Sequence, residues 1–125
     1  MSKKCLPILL LSLLLAGCAT QLTNLTPLQQ IRNADNLYPV EASFHSRQQT
    51  IRWQSIKPKI IVGTASYEMR PTLLMTNRWE GFIPVPAGTS TVRYHYRFDF
   101  QYNRMGPPGN DTAISQEYNL RILEP

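Results

Sequence analysis

Cysteine is nearly missing from this sequence, and its placement excludes whole classes of chemistry. The two cysteines, Cys5 and Cys18, both fall within the first eighteen residues. No thiol follows, so residues 19 to 125 form no internal disulfide and offer no cysteine nucleophile. Histidine is equally scarce. His45 and His95 are far apart in the chain, and no HxxxH spacing supplies the three or four converging ligands that a zinc site needs. No serine sits in a GxSxG elbow or an SxxK motif. The acidic residues are dispersed, with no pattern that marks a catalytic pair, and Gly106 and Gly109 flank two prolines in a stiff turn rather than a phosphate cradle. These gaps predict a protein that is not an enzyme and takes no cofactor. Long apolar runs are lacking too. The one present ends at Ala16 and is about a dozen residues long, whereas a membrane-spanning helix needs about twenty.

That short run is informative. Lys3 and Lys4 precede it and small residues close it, the layout of a secretory signal rather than a membrane anchor. Its end, Leu15-Ala16-Gly17-Cys18, resembles the lipobox of bacterial lipoprotein precursors. The resemblance covers residues 1 to 18. It implies cleavage between Gly17 and Cys18, a diacylglycerol thioether on Cys18 and usually a third acyl chain on the new amino terminus. Two or three chains on one residue hold a protein on a membrane far more firmly than the single chain that binds reversibly. Ala19, where an aspartate would favour the inner membrane, implies the outer membrane in a Gram-negative host. The expected product is a lipid-anchored cell-envelope protein whose first partner is membrane lipid.

Beyond residue 17 the charge is mild. Eleven basic residues, nine of them arginine, face eight acidic ones, a net +3 with no run of like charge longer than two. Residues 18 to 39, rich in Thr, Gln and Asn, predict a polar tether partly packed on the domain and able to reach about 60 Å when extended. Within it Thr26-Pro27-Leu28-Gln29 has the form of a capping box, which gives one short helix near 27–33. From Val40 to the C-terminus apolar side chains recur every second residue between Pro, Gly and Asn turns. The pattern predicts a single antiparallel immunoglobulin-like β-sandwich of about seven strands over residues 40–125.

The stretch TVRYHYRFDFQYN shows the alternation best. Val92, Tyr94, Tyr96, Phe98, Phe100 and Tyr102 share one face of a strand about 35 Å long, and Arg93, His95, Arg97, Asp99 and Gln101 share the other. Single-strand nucleic-acid binders need rings and charges on one surface; here they lie on opposite faces, so nucleic acid is not an expected partner. The aromatic face is expected to be core, with one end as the alternative: a shallow platform of rings that stacks on sugars.

Tyr67-Glu68-Met69, Arg78-Trp79-Glu80-Gly81, Pro86-Ala87-Gly88 and Tyr94-His95-Tyr96-Arg97-Phe98-Asp99 occur in the order found in early-set immunoglobulin-like modules. Over residues 59 to 102 the chain resembles their starch- and glycogen-binding branch, although Phe100 stands where that branch has glycine. The expected role is a structural or protein-interaction module on the envelope. The alternative is a carbohydrate- or peptidoglycan-binding module, with Trp53, Trp79, Tyr94 and Tyr102 as the candidate ligand-facing residues.

Overall fold

The computed structural model describes residues 20–125. The expected signal segment, its cleavage point after Gly17 and the lipid-bearing Cys18 lie outside those residues. Ten strands follow in chain order: β1 (Thr20–Asn24), β2 (Gln29–Ile31), β3 (Leu37–Ser46), β4 (Ile51–Val62), β5 (Ala65–Glu68), β6 (Arg70–Pro71), β7 (Arg78–Pro84), β8 (Thr91–Tyr102), β9 (Gly109–Ile114) and β10 (Tyr118–Leu123). They form two sheets. One runs β1-β3-β7-β6; the other runs β2-β10-β8-β4-β5, with β9 also paired to β8. The two sheets make a β-sandwich, as the period-two pattern predicts, and their strand order, which that pattern leaves open, is immunoglobulin-like. One pair, β2 with β10, is parallel.

The ten strands exceed the expected seven for specific reasons. Residues 20–39 are neither a tether nor a helix near 27–33: they belong to the sandwich, which therefore begins at Thr20 rather than at residue 40. β1 pairs with β3 along its whole length, Thr20 opposite Ser46 and Asn24 opposite Ala42. Pro27 follows, and the chain crosses to the other sheet as β2. Polar groups hold the crossing in place. The Thr26 hydroxyl accepts the Glu41 N–H at 2.9 Å. The Arg32 guanidinium, almost wholly covered, donates to the carbonyls of Val85 (3.1 Å) and Thr89 (2.7 Å) and pairs with Glu124 (3.2 Å). A polar segment packs here because its donors and acceptors are satisfied.

Two serines repair gaps in the ladders on either side of β8. In β4 the register shifts between Arg52 and Lys57, so Trp53 to Ile56 bulge opposite Phe100 alone. Ser55 Oγ accepts the Gln101 N–H at 2.7 Å and donates to the Arg52 carbonyl at 2.6 Å. On the other side β9 gives way to β10, and Ser115 Oγ accepts the Tyr96 N–H at 2.8 Å while donating to the Gln116 carbonyl. Both hydroxyls stand where a straight partner strand would offer a carbonyl.

The core lies between the sheets. Tyr94, Tyr96, Phe98 and Phe100 are buried against Tyr38, Val40, Phe44, Ile60, Ile83 and Leu120, so the aromatic stripe is interior. Phe98 stacks on Phe44 at 5.8 Å and meets the Trp79 ring edge-on at 5.4 Å. Gly81 permits the close approach of the layers: a Cβ there would stand 2.9 Å from Ile60 Cδ1 and 3.2 Å from the Glu68 carbonyl oxygen.

Candidate functional site

The four residues expected to face a ligand do not form one site. Tyr94 is 1% exposed, and Asn24 Nδ2 donates to its hydroxyl at 3.0 Å. Trp79 is 6% exposed and belongs to the core. Both assignments are therefore corrected: each residue lies in phase with buried neighbours on its strand, and burial of a large ring outweighs the surface role. Tyr102, half-buried at the end of β8, lies across Gly109, its partner on β9. Only Trp53 is open to solvent, at 44%.

The Tyr94 and Tyr96 hydroxyls explain why tyrosine, not phenylalanine, fills part of the stripe. Tyr96 donates to Asn24 Oδ1 at 2.6 Å and lies 3.1 Å from the Thr26 hydroxyl. Burial pushes the Tyr96 phenol well above the usual tyrosine range, so it stays neutral and acts as a hydrogen-bonding pin between β1 and β8. Tyr96→Phe leaves Asn24 Oδ1 without that donor, and the expected cost is about 1–3 kcal/mol. Urea unfolding followed by circular dichroism measures it; a change below about 0.5 kcal/mol would deny the pin its role.

Trp53 reaches the rim because the β4 bulge carries it away from the interior. Its ring lies parallel to Trp79 (6.4 Å, 3°) and edge-on to Phe44 (5.8 Å). Beside it a depression of about 340 Å³ is lined by Phe44, His45, Ser46, Thr76 and Asn77. A second depression, about 420 Å³, lies over the bulge and includes Ser55, Lys57, Asp99, Asn110 and Thr112. The Thr112 hydroxyl, donating to Asp99 at 2.6 Å, holds that carboxyl below the usual aspartate range, and Arg97 at 3.3 Å adds to the effect. That half-buried carboxylate ties β8 to β9 through the Thr112 hydroxyl.

A surface that sequence reasoning missed lies on the outer face of the β3–β7 pair. Leu37 stands opposite Pro84 and Pro39 opposite Phe82, and side chains at directly paired positions share a face. All four are exposed. The patch was masked because LYPV and FIPV are apolar on both faces, which erases the alternation that separates inside from outside. That double-sided apolarity is itself the signal. Pro39 is tolerated within β3 because its carbonyl, and hence its imide nitrogen, points away from β7 toward Gln30, whose side chain donates to it at 2.8 Å.

Among the described residues no three His, Cys, Asp or Glu side chains gather to hold a metal. What the surface offers is contact: an apolar patch on one sheet and a tryptophan at one end. No family model and no curated protein matches this sequence. The reading of function therefore rests on the chain's own residues.

Proposed function

We propose that this protein is an exported lipoprotein, held in the cell envelope by acyl chains on Cys18, whose sandwich is a non-catalytic module that binds a protein partner. The outer membrane is its location if the host is Gram-negative. The observation that carries the binding role is the Leu37–Pro39–Phe82–Pro84 patch. Four apolar side chains lie together on a sheet face that otherwise carries polar groups, such as Glu41 and Arg78, and contiguous exposed apolar surface marks interaction sites more often than isolated apolar residues do. Rigid strands hold the patch, so little ordering entropy opposes docking.

Crosslinking tests this reading. A photoreactive residue at Leu37 is expected to give one discrete adduct in intact envelopes, and Gln21, exposed on the same sheet, serves as the control position. Phe82→Glu should abolish the adduct while leaving the melting transition unchanged, since Phe82 is already 45% exposed. Equal labelling at both positions, or none, would refute the patch as a docking surface.

A specific observation favours a second reading, carbohydrate or peptidoglycan binding: the exposed Trp53 ring, stiffened by Trp79 beneath it, is suited to stacking on a sugar. Retention on peptidoglycan that is lost in Trp53→Ala, with Phe82→Glu still bound, selects this reading over the first.

A further inference from the structure

The start of β1 and three loops lie at one end of the sandwich. Thr20 is opposite Ser46, and the β3–β4 loop (47–50) begins there. Phe44 N–H donates to the Asn77 carbonyl at 3.0 Å, which brings in the β6–β7 loop (72–77). Asn103 N–H donates to the Thr50 carbonyl at 2.8 Å, and Arg52 Nε donates to Asn103 Oδ1 at 2.6 Å, which brings in the β8–β9 loop (103–108). Cys18 is two residues before Thr20, and two steps of backbone span at most about 7 Å. An acyl-bearing Cys18 therefore leaves no slack: this end of the fold must sit at the level of the lipid headgroups.

The side chains there suit that place. Leu73 is 84% exposed, Leu74 96% and Met105 fully exposed. Leu74 also holds a left-handed backbone conformation (φ 64°), unfavourable for a side chain with a Cβ, at the tip of a turn closed by the Met75 N–H to Thr72 carbonyl bond at 3.1 Å. A strained leucine aimed into water gains nothing from packing within the fold. Arg47 and Arg104 lie in the β3–β4 and β8–β9 loops and Arg52 beside them at the start of β4, all exposed, and none of the three loops contains an aspartate or glutamate. Apolar tips and cations at the same end of the fold match a surface that is apolar below and anionic above.

We propose that this end of the sandwich docks on the phospholipid leaflet carrying the Cys18 acyl chains. Leu73, Leu74 and Met105 enter the boundary between headgroups and acyl chains, and Arg47, Arg52 and Arg104 face the lipid phosphates. The proposal rests on the lipid anchoring of Cys18 and adds a fixed orientation to it: the Leu37–Phe82 patch, near the other end of β3, is held on the side of the sandwich at the end away from the membrane.

The test uses the mature, lipidated protein in vesicles of phosphatidylcholine and phosphatidylglycerol. Once Cys18 is a thioether the chain has no free thiol, so Leu74→Cys, Met105→Cys and, at the opposite end, Ala87→Cys each accept one spin label. Collision with oxygen, which concentrates in lipid, is compared with collision with a nickel chelate, which stays in water. The oxygen-to-nickel ratio is expected to be several-fold higher at 74 and 105 than at 87. Equal ratios at all three positions, in protein that still floats with the vesicles, would overturn the docking and leave the anchor standing. Shielding of 74 and 105 from both reagents would overturn it in favour of a second copy of this chain covering the end. Protein that fails to float with vesicles would remove the anchor, and the docking with it.

Discussion

Phe98→Ala is expected to remove a large share of the domain's stability. Phe98 is completely buried at the centre of the long strand β8, stacked on Phe44 across the sheet interface and touched edge-on by Trp79. Deleting the ring removes both aromatic contacts and opens a cavity between two sheets fixed by their own hydrogen-bond ladders. Such a site relaxes little, which places the loss at about 3–5 kcal/mol. A domain this size has about 5–15 kcal/mol in all, and here no disulfide supplements the core. Equilibrium urea unfolding of the variant beside the parent measures the loss. A midpoint within experimental scatter of the parent would mean that Phe98 is not where the structure puts it. Phe98→Leu, which keeps most of the volume, should recover a large part of the stability.

Cys18→Ser is expected to produce a change in kind rather than degree. Serine offers no thiolate to accept a diacylglycerol, and processing at a lipobox follows that transfer. The anticipated product retains residues 1–17 and carries no acyl mass, whereas the parent is expected to yield an N-terminal peptide that begins at Cys18 with lipid attached. Each buried methylene contributes about 0.8 kcal/mol, so losing two or three chains removes an attachment that the loop residues cannot replace alone. Mass spectrometry of the N-terminal peptide reads the outcome directly. An unmodified Cys18 in the parent would end both the anchoring proposal and the orientation built on it.

The sequence showed the sandwich most clearly where large side chains alternate. In β8 every second residue is aromatic, and the same period carries Val40, Ala42 and Phe44 into the core. Where the fold relies on hydrogen bonds, hydropathy says nothing. The segment with β1 and β2 has few buried apolar groups, and Thr26, Asn24 and Arg32 attach it through polar contacts that composition renders as a tether. Trp53 and Trp79 show a second limit. Trp79 keeps phase with Gly81 and Ile83, and that phase alone would have placed it inside. Trp53 keeps phase with buried Ile51, yet a bulge beginning one residue after Arg52 turns it outward. A register shift depends on which strand pairs with which, information that one strand's sequence does not contain. The outer patch failed to show for the opposite reason: both faces of LYPV and FIPV are apolar.

The straight run of β3 has a consequence for where a partner can be met. From Ser46, beside the start of β1, to Leu37 is nine residue steps, or about 30 Å at strand spacing. In the proposed docking the domain would stand as a post of fixed height, with the apolar patch on its side near the top, within reach only at that altitude. Neighbours that stand about 30 Å proud of the same leaflet would meet it as they diffuse laterally, while anything lower, or bound across the envelope on a longer arm, would pass by.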